Sequence, residues 1–189
     1  MTILIDFDDT MTDLLPTWVD VLNSRFGENV DWRNIRQWDI CKAFPRLTDE
    51  EVFAPLTEDS FWDLVQPKKD AVYYIRKLVI YGFDVVVLTA SSPDTIKSKF
   101  YNCMQKHFPF IDFKDVIVSS RKYLIKGDVM VDDAVHNFDK VNCYCKILMD
   151  APHNQSFDNK AKGIVRVGDW AHAYNAICGF AERVGFTNR

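Results

Sequence analysis

The sequence predicts an α/β fold: a central parallel sheet flanked by helices and doubly wound, with a small helical insert after the first strand. Three observations carry this reading. Short runs that are apolar throughout recur along the chain, each closing on polar or acidic residues. Strands buried on both faces have that pattern, whereas a sheet with one wet face alternates apolar and polar residues. Amphipathic helical stripes separate several of these runs, and one stretch near the N-terminus is helical in pattern with no convincing strand.

The runs are Thr2 to Phe7, Phe83 to Leu88, Val116 to Val118, Val129 to Val131, Cys145 to Met149 and Ile164 to Val167. Between them, Ala71, Ile75, Leu78 and Val79 form one helical stripe, and Ile96, Phe100, Cys103 and Met104 form another. A last helix opens on Asp169 as N-cap and buries Trp170, Tyr174, Ile177 and Ala181. Residues 14–66 carry the stripe Leu15, Val19, Leu22, Phe26 and four of the chain's five tryptophans. They read as a helical cap of two or three helices that ends near Pro67, where a helix is expected to stop. Residues 1–13 and 67–189 then form the core.

Length and composition narrow the possible functions. With 189 residues, 48% hydrophobic and 26% charged, the chain is long enough to bury a core without staples. A net charge of -4 and the lack of a long basic stripe exclude a nucleic-acid polymer as the expected partner, though a local cation still serves a single phosphate. Cys41, Cys103, Cys143, Cys145 and Cys178 are odd in number and form no CxxC pair, which fits free thiols in a reducing compartment. Neither a signal peptide nor an apolar window of membrane-spanning length is evident, so the expected location is cytoplasmic, with no membrane partner.

The chemistry gathers at strand ends. Asp6, Asp8 and Asp9 follow the first apolar run, and Asp132 and Asp133 follow the run that starts at Val129. Ligands of open α/β sheets bind at the carboxyl ends of the strands. Carboxylates converging there repel one another and raise their own pKa values unless a cation intervenes. With oxygen donors only, the ion expected is a hard one, Mg2+ above all. Thr89 follows another run and offers a hydroxyl; Lys122 precedes the Asp132 strand and offers a positive charge, with Lys126 as a competitor. Phosphoryl transfer needs a nucleophile, donors for the phosphoryl oxygens and a group that handles the leaving-group proton.

This set resembles the four motifs of haloacid dehalogenase (HAD) superfamily phosphatases. They are Asp6-Phe7-Asp8-Asp9-Thr10, Leu88-Thr89-Ala90-Ser91, Lys122, and Val131-Asp132-Asp133. The resemblance implies a HAD-like Rossmannoid core with Asp6 as nucleophile and Asp8 as general acid and base. It gives Mg2+ to Asp6, Asp8 through its carbonyl, and Asp132, with Asp133 behind them, and the phosphoryl oxygens to Thr89, Ala90, Ser91 and Lys122. Within that superfamily the chain is most similar to the 5'(3')-deoxyribonucleotidase group. The cap position, Arg121-Lys122, Pro152-His153-Asn154-Gln155 and Gly168-Asp169-Trp170 all look like theirs.

That likeness implies a nucleoside monophosphate as substrate and a homodimer as assembly. Trp38 is then a candidate to stack on the base, Trp18 a core residue and Asp9 a structural one; His153 and Asn154 either line the site or shape a turn. Asp9 stands where the family often has glycine, and Leu14 where an aromatic pocket residue is expected. Two alternatives share part of the pattern: a HAD phosphatase for another small phosphorylated metabolite, and a receiver-type phosphoacceptor signalling module. The latter lacks an insert of this size and carries its acidic pair before the phosphoacceptor.

Overall fold

The computed structural model describes residues 1–186. Six parallel strands, β1 (Thr2–Ile5), β2 (Asp84–Thr89), β3 (Val116–Val118), β4 (Val129–Asp132), β5 (Cys145–Met149) and β6 (Val165–Val167), form one sheet in the order 3-2-1-4-5-6. All six expected runs are strands, with ends that differ by one or two residues. β1 stops at Ile5, two residues early, because the chain turns out of the sheet at Phe7. The Asp6 amide nevertheless still donates to Val131 O at 2.9 Å, so the ladder runs up to the first acidic residue.

Successive side chains on a strand point to opposite faces, and the packing follows that rule. Ile3 and Ile5 join Val85, Val87, Val129, Val131 and Ile147 in a core covered by helices, while Leu4 joins Leu88, Met130 and Leu148 on the other face. The helical side carries α4 (Ala71–Ile80), the continuous helical stretch 93–107 and the last helix (Trp170–Arg183). Right-handed crossovers put the β1-to-β2 and β2-to-β3 connections on one face, and the reversal of direction at β4 puts later ones on the other. Those later connections contain only short 3-10 turns, and Phe138, Val141 and Ile164 seal that face in place of α-helices.

Residues 14–64 hold no strand. They fold as α1 (Leu14–Phe26), α2 (Asp49–Phe53), α3 (Asp59–Leu64) and intervening 3-10 turns. Gly27 ends α1 in the left-handed conformation that favours glycine. A full capping box, Thr48 with Glu51, starts α2. The two chain crossings between this segment and the sheet lie side by side: Thr12 and Pro67 form an antiparallel bridge. Asp13 N donates to Gln66 O and Lys68 N to Met11 O, both at 2.9 Å. Among the described residues no helix is long and apolar enough to cross a membrane.

Gly127 shows how tightly the second face is packed. A Cβ placed there would lie 2.7 Å from Leu4 Cγ, inside contact distance of a side chain with no room to retreat. Overpacking of this kind costs about 1–3 kcal/mol. Gly127→Ala is therefore expected to lower the unfolding free energy by that amount in urea titration, with the slope unchanged.

Candidate active site

Because β1 lies between β2 and β4, the ends that carry Asp6, Thr89 and Asp132 are neighbours. Asp6 and Asp132 are both buried, and the Lys122 ammonium sits between them, bonded to Asp6 and 2.8 Å from Asp132 Oδ2. Lys122 is buried whereas Lys126 is exposed, so the two candidate lysines are separated by the fold. Oxygens of Asp6, Asp132 and Asp133 all lie within 4.8 Å of one another, a donor set that fits a hard cation.

Electrostatics support that fit. Burial, together with the neighbouring Asp132 charge, raises the Asp6 carboxyl to about 6 even against the pull of Lys122. Burial and the charges of Asp132 and Asp6 likewise push Asp133 well above the usual carboxylate range. Lys122, despite burial, is held in its charged form by the same two aspartates. A cluster that disfavours its own ionisation is one that a divalent ion would relieve.

The two motif-four aspartates have different surroundings. Asp132 is completely buried and its oxygens are taken: Oδ1 accepts from Ala134 N at 2.8 Å and Asn137 Nδ2 at 3.0 Å, while Oδ2 accepts from Lys122. Asp133 faces the crevice and accepts only a 3.3 Å bond from Thr10 Oγ1, with His153 Nε2 3.0 Å from its other oxygen. Asn154 supports the pair from behind, donating to Asp133 O at 2.9 Å and to Met149 O at 2.8 Å.

A cavity of about 510 Å3 opens over these groups. Asp6, Asp8, Lys122 and Asp133 form its floor; the segment 14–66 supplies an apolar wall with Leu14, Leu15, Trp18, Ile40, Phe53 and Leu56. Trp18 is buried and donates to Val52 O, as a core residue does. Trp38 is 59% exposed at the rim and packs edge-on against His136 and His153, with centroids 4.9 and 5.0 Å away. Ala90 lines the cavity, and Ser91 lines a smaller one that shares Asp8, with its hydroxyl buried and unpartnered. Thr89 lines neither of these two cavities; it is fully buried and its hydroxyl accepts from Lys99 Nζ at 2.7 Å.

With the geometry in hand, comparison with known proteins is decisive. Residues 1–183 match the family described as 5' nucleotidase, deoxy (pyrimidine), cytosolic type C protein. The chain belongs to the 5'(3')-deoxyribonucleotidase family. Members similar to it include the 5'(3')-deoxyribonucleotidase of Bacillus subtilis (strain 168), 32% identical over 170 residues, covering 89% of this chain and 93% of the relative. That of Clostridium acetobutylicum is 28% identical over 177 residues and covers 94% of each. The 5'(3')-deoxyribonucleotidase family consists of phosphoric monoester hydrolases, and the fold of this chain is that of HAD hydrolases. The fold agrees: a HAD family hydrolase of Deinococcus radiodurans R1, solved with bound phosphate and sodium, superposes with a TM-score of 0.64 at 13% identity, covering 99% and 97% of the two chains. A HAD hydrolase of Bacillus subtilis bound to magnesium gives 0.55 at 16%, covering 92% and 96%.

Lys99 and Asn137 are members of this candidate site that the sequence pattern does not single out. Lys99 reaches both Asp8 and Thr89. Its signal was present: it is a charged residue placed among the buried positions of the Phe100 and Cys103 helix, where only a paired charge is tolerated. Asn137 carried no such signal, being one polar residue in a polar turn.

Asp9 has a structural assignment. Its φ of 52° lies in the left-handed region, and its Oδ1 accepts from Leu15 N at 2.8 Å, capping the first turn of α1. Glycine adopts that conformation without the strain a Cβ brings. Left-handed backbone costs a residue with a Cβ about 1–2 kcal/mol, partly offset by the lower chain entropy of alanine relative to glycine. Asp9→Gly is therefore expected to melt above Asp9→Ala, by a difference on the order of 1 kcal/mol. The two variants lose the same cap and the same charge, so thermal unfolding compares them cleanly.

Proposed function

We propose that this chain hydrolyses deoxynucleoside 5'- or 3'-monophosphates through an aspartyl-phosphate on Asp6, with Mg2+ as cofactor. The observation that carries the reading is the buried Asp6–Lys122–Asp132 triplet at the floor of a crevice whose opposite wall is apolar and rimmed by Trp38. The names of the curated relatives support the substrate class.

Asp6 attacks phosphorus; an Asp6 oxygen–phosphorus bond forms as the ester oxygen–phosphorus bond breaks. Asp8 lines the cavity and is half-buried, suited to give a proton to the departing sugar oxygen. A water then attacks the same phosphorus, Asp8 takes its proton, and the bond to Asp6 breaks to release phosphate and restore the carboxylate. Lys122, Ser91 and the Ala90 backbone hold the phosphoryl oxygens. Thr89, expected to share that task, acts from beneath as an anchor of Lys99. Asp6, Asp133 and the Asp8 carbonyl would hold the ion, and Asp132 would hold Lys122. The exchange of roles within the motif-four pair rests on the saturated bonding of Asp132 and on Asp133, which lines the cavity and keeps one oxygen without a hydrogen-bond donor. When bound, Mg2+ supplies charge that offsets the carboxylates and the incoming phosphoryl group.

We read residues 14–66 as a cap that joins the core at the Thr12–Pro67 crossing and selects the substrate. Its apolar wall suits a base, and closure removes water from the phosphoryl contacts. A panel of nucleoside monophosphates and sugar phosphates, assayed with Mg2+ and again after chelation, tests the substrate class. Deoxynucleotides are expected to lead the panel, and chelation to abolish turnover until Mg2+ is restored. In the same assay Trp38→Ala is expected to lose about 1–3 kcal/mol in kcat/KM on the nucleotide if the indole stacks on the base, and much less on p-nitrophenyl phosphate. A sugar phosphate far ahead of every nucleotide would favour the metabolite phosphatase instead.

A further inference from the structure

We propose that Lys99 is a positioning residue for the acid–base step: its ammonium holds the Asp8 carboxyl at one oxygen and so fixes it at the wall of the cavity. This rests on the reading of Asp8 above. Lys99 is 1% exposed, yet it is not a stray buried charge. All three of its donors find oxygen: Asp8 Oδ2, Thr89 Oγ1 at 2.7 Å and Ala90 O at 3.4 Å. The rings of Phe7 and Trp62, each 5.4 Å from Nζ, close the remaining sides and keep water away. A lysine this deep opposes folding unless its pairing is complete, and an apolar residue would pack here at less cost. Every oxygen it binds belongs to one of the first two motifs.

The result for Asp8 is asymmetric. Oδ2 is occupied, while Oδ1 is buried without a partner on a residue that lines the cavity. A carboxylate held at one oxygen has lost the freedom to turn away, so Asp8 keeps its place beside the reacting groups. Lys99 is itself held in place. It opens a π-helical turn (Lys99–Met104), a distortion often found at functional sites. The flanking residues tie that helix to α3, through Ser98 to Asp59, Asn102 to Asp59 O at 3.2 Å and Lys106 to Asp63 O at 3.0 Å.

The test compares kcat/KM for a deoxynucleoside monophosphate and for p-nitrophenyl phosphate, whose good leaving group needs little proton donation. The ratio of the two does not depend on how much of a variant is folded. Lys99→Met is expected to lose on the order of 10²-fold on the nucleotide and less than about tenfold on the aryl ester, lowering the ratio. Lys99→Gln, which keeps a donor for Thr89 and Ala90, is expected to lower it as well and serves where the methionine variant does not accumulate. Adding Lys99→Met to Asp8→Asn is expected to leave the ratio where Asp8→Asn alone puts it. Equal losses on both esters, an unchanged or raised ratio, or a full further drop in the Asp8→Asn background would overturn the proposal. Turnover by the wild-type chain tests the phosphatase reading separately, so the two can fail independently.

Discussion

The charge balance at the carboxyl ends of β1 and β4 is the constraint on which the rest of this molecule depends. Four aspartates crowd one site, Asp6, Asp132 and Asp133 buried and Asp8 half-buried, and two buried ammonium groups answer them. Lys122 neutralises the pair that spans two strands; Lys99 neutralises the one at the loop. What remains is a negative excess facing the cavity, which suits a divalent ion and, with it, a phosphate. The sheet order provides this concentration, because β1 has the β2 and β4 ends on either side.

The insert answers a second requirement. Phosphoryl chemistry in this pocket needs an environment that excludes water, and the core alone leaves its strand ends open. Leaving the core at Asp13 and returning at Pro67, the segment adds an apolar wall above the charged floor without lengthening any strand. The single antiparallel bridge at the crossing leaves few backbone ties between the two parts, so the wall and the floor are joined mainly by side chains. Trp38 against His136 and His153 at the rim is one such contact, and the α3 ties to the Lys99 helix are another.

Much of this was legible in the residues. Continuous apolar runs gave the buried strands because a strand covered on both faces has no polar period to disguise it. The acidic residues that end those runs marked the site, since carboxylates at strand ends have few structural uses in such number. Less legible were features that depend on three-dimensional partners. Lys99 is one charge in a helical segment until β1 and β2 are seen to converge on it. The difference between Asp132 and Asp133 comes from Asn137 and the Ala134 amide, groups whose part no periodicity announces. Thr89 looked like a phosphate ligand from its motif, but its hydroxyl faces inward to a lysine that sequence spacing did not reveal. A doubly wound sheet implies helices on both faces; the connections after β3 are instead 3-10 turns, because short loops suffice where Phe138 and Ile164 already cover the sheet.

In the proposed mechanism Asp6 carries the phosphoryl group. Acid quenching during turnover of a deoxynucleoside monophosphate, followed by borohydride reduction and peptide mapping, reads that directly, since an aspartyl-phosphate is reduced to homoserine. Homoserine at position 6, dependent on substrate and absent from positions 8, 9, 132 and 133, is the predicted result. Homoserine at another of these aspartates, or at none of them while Asp6→Asn turns over normally, would contradict it.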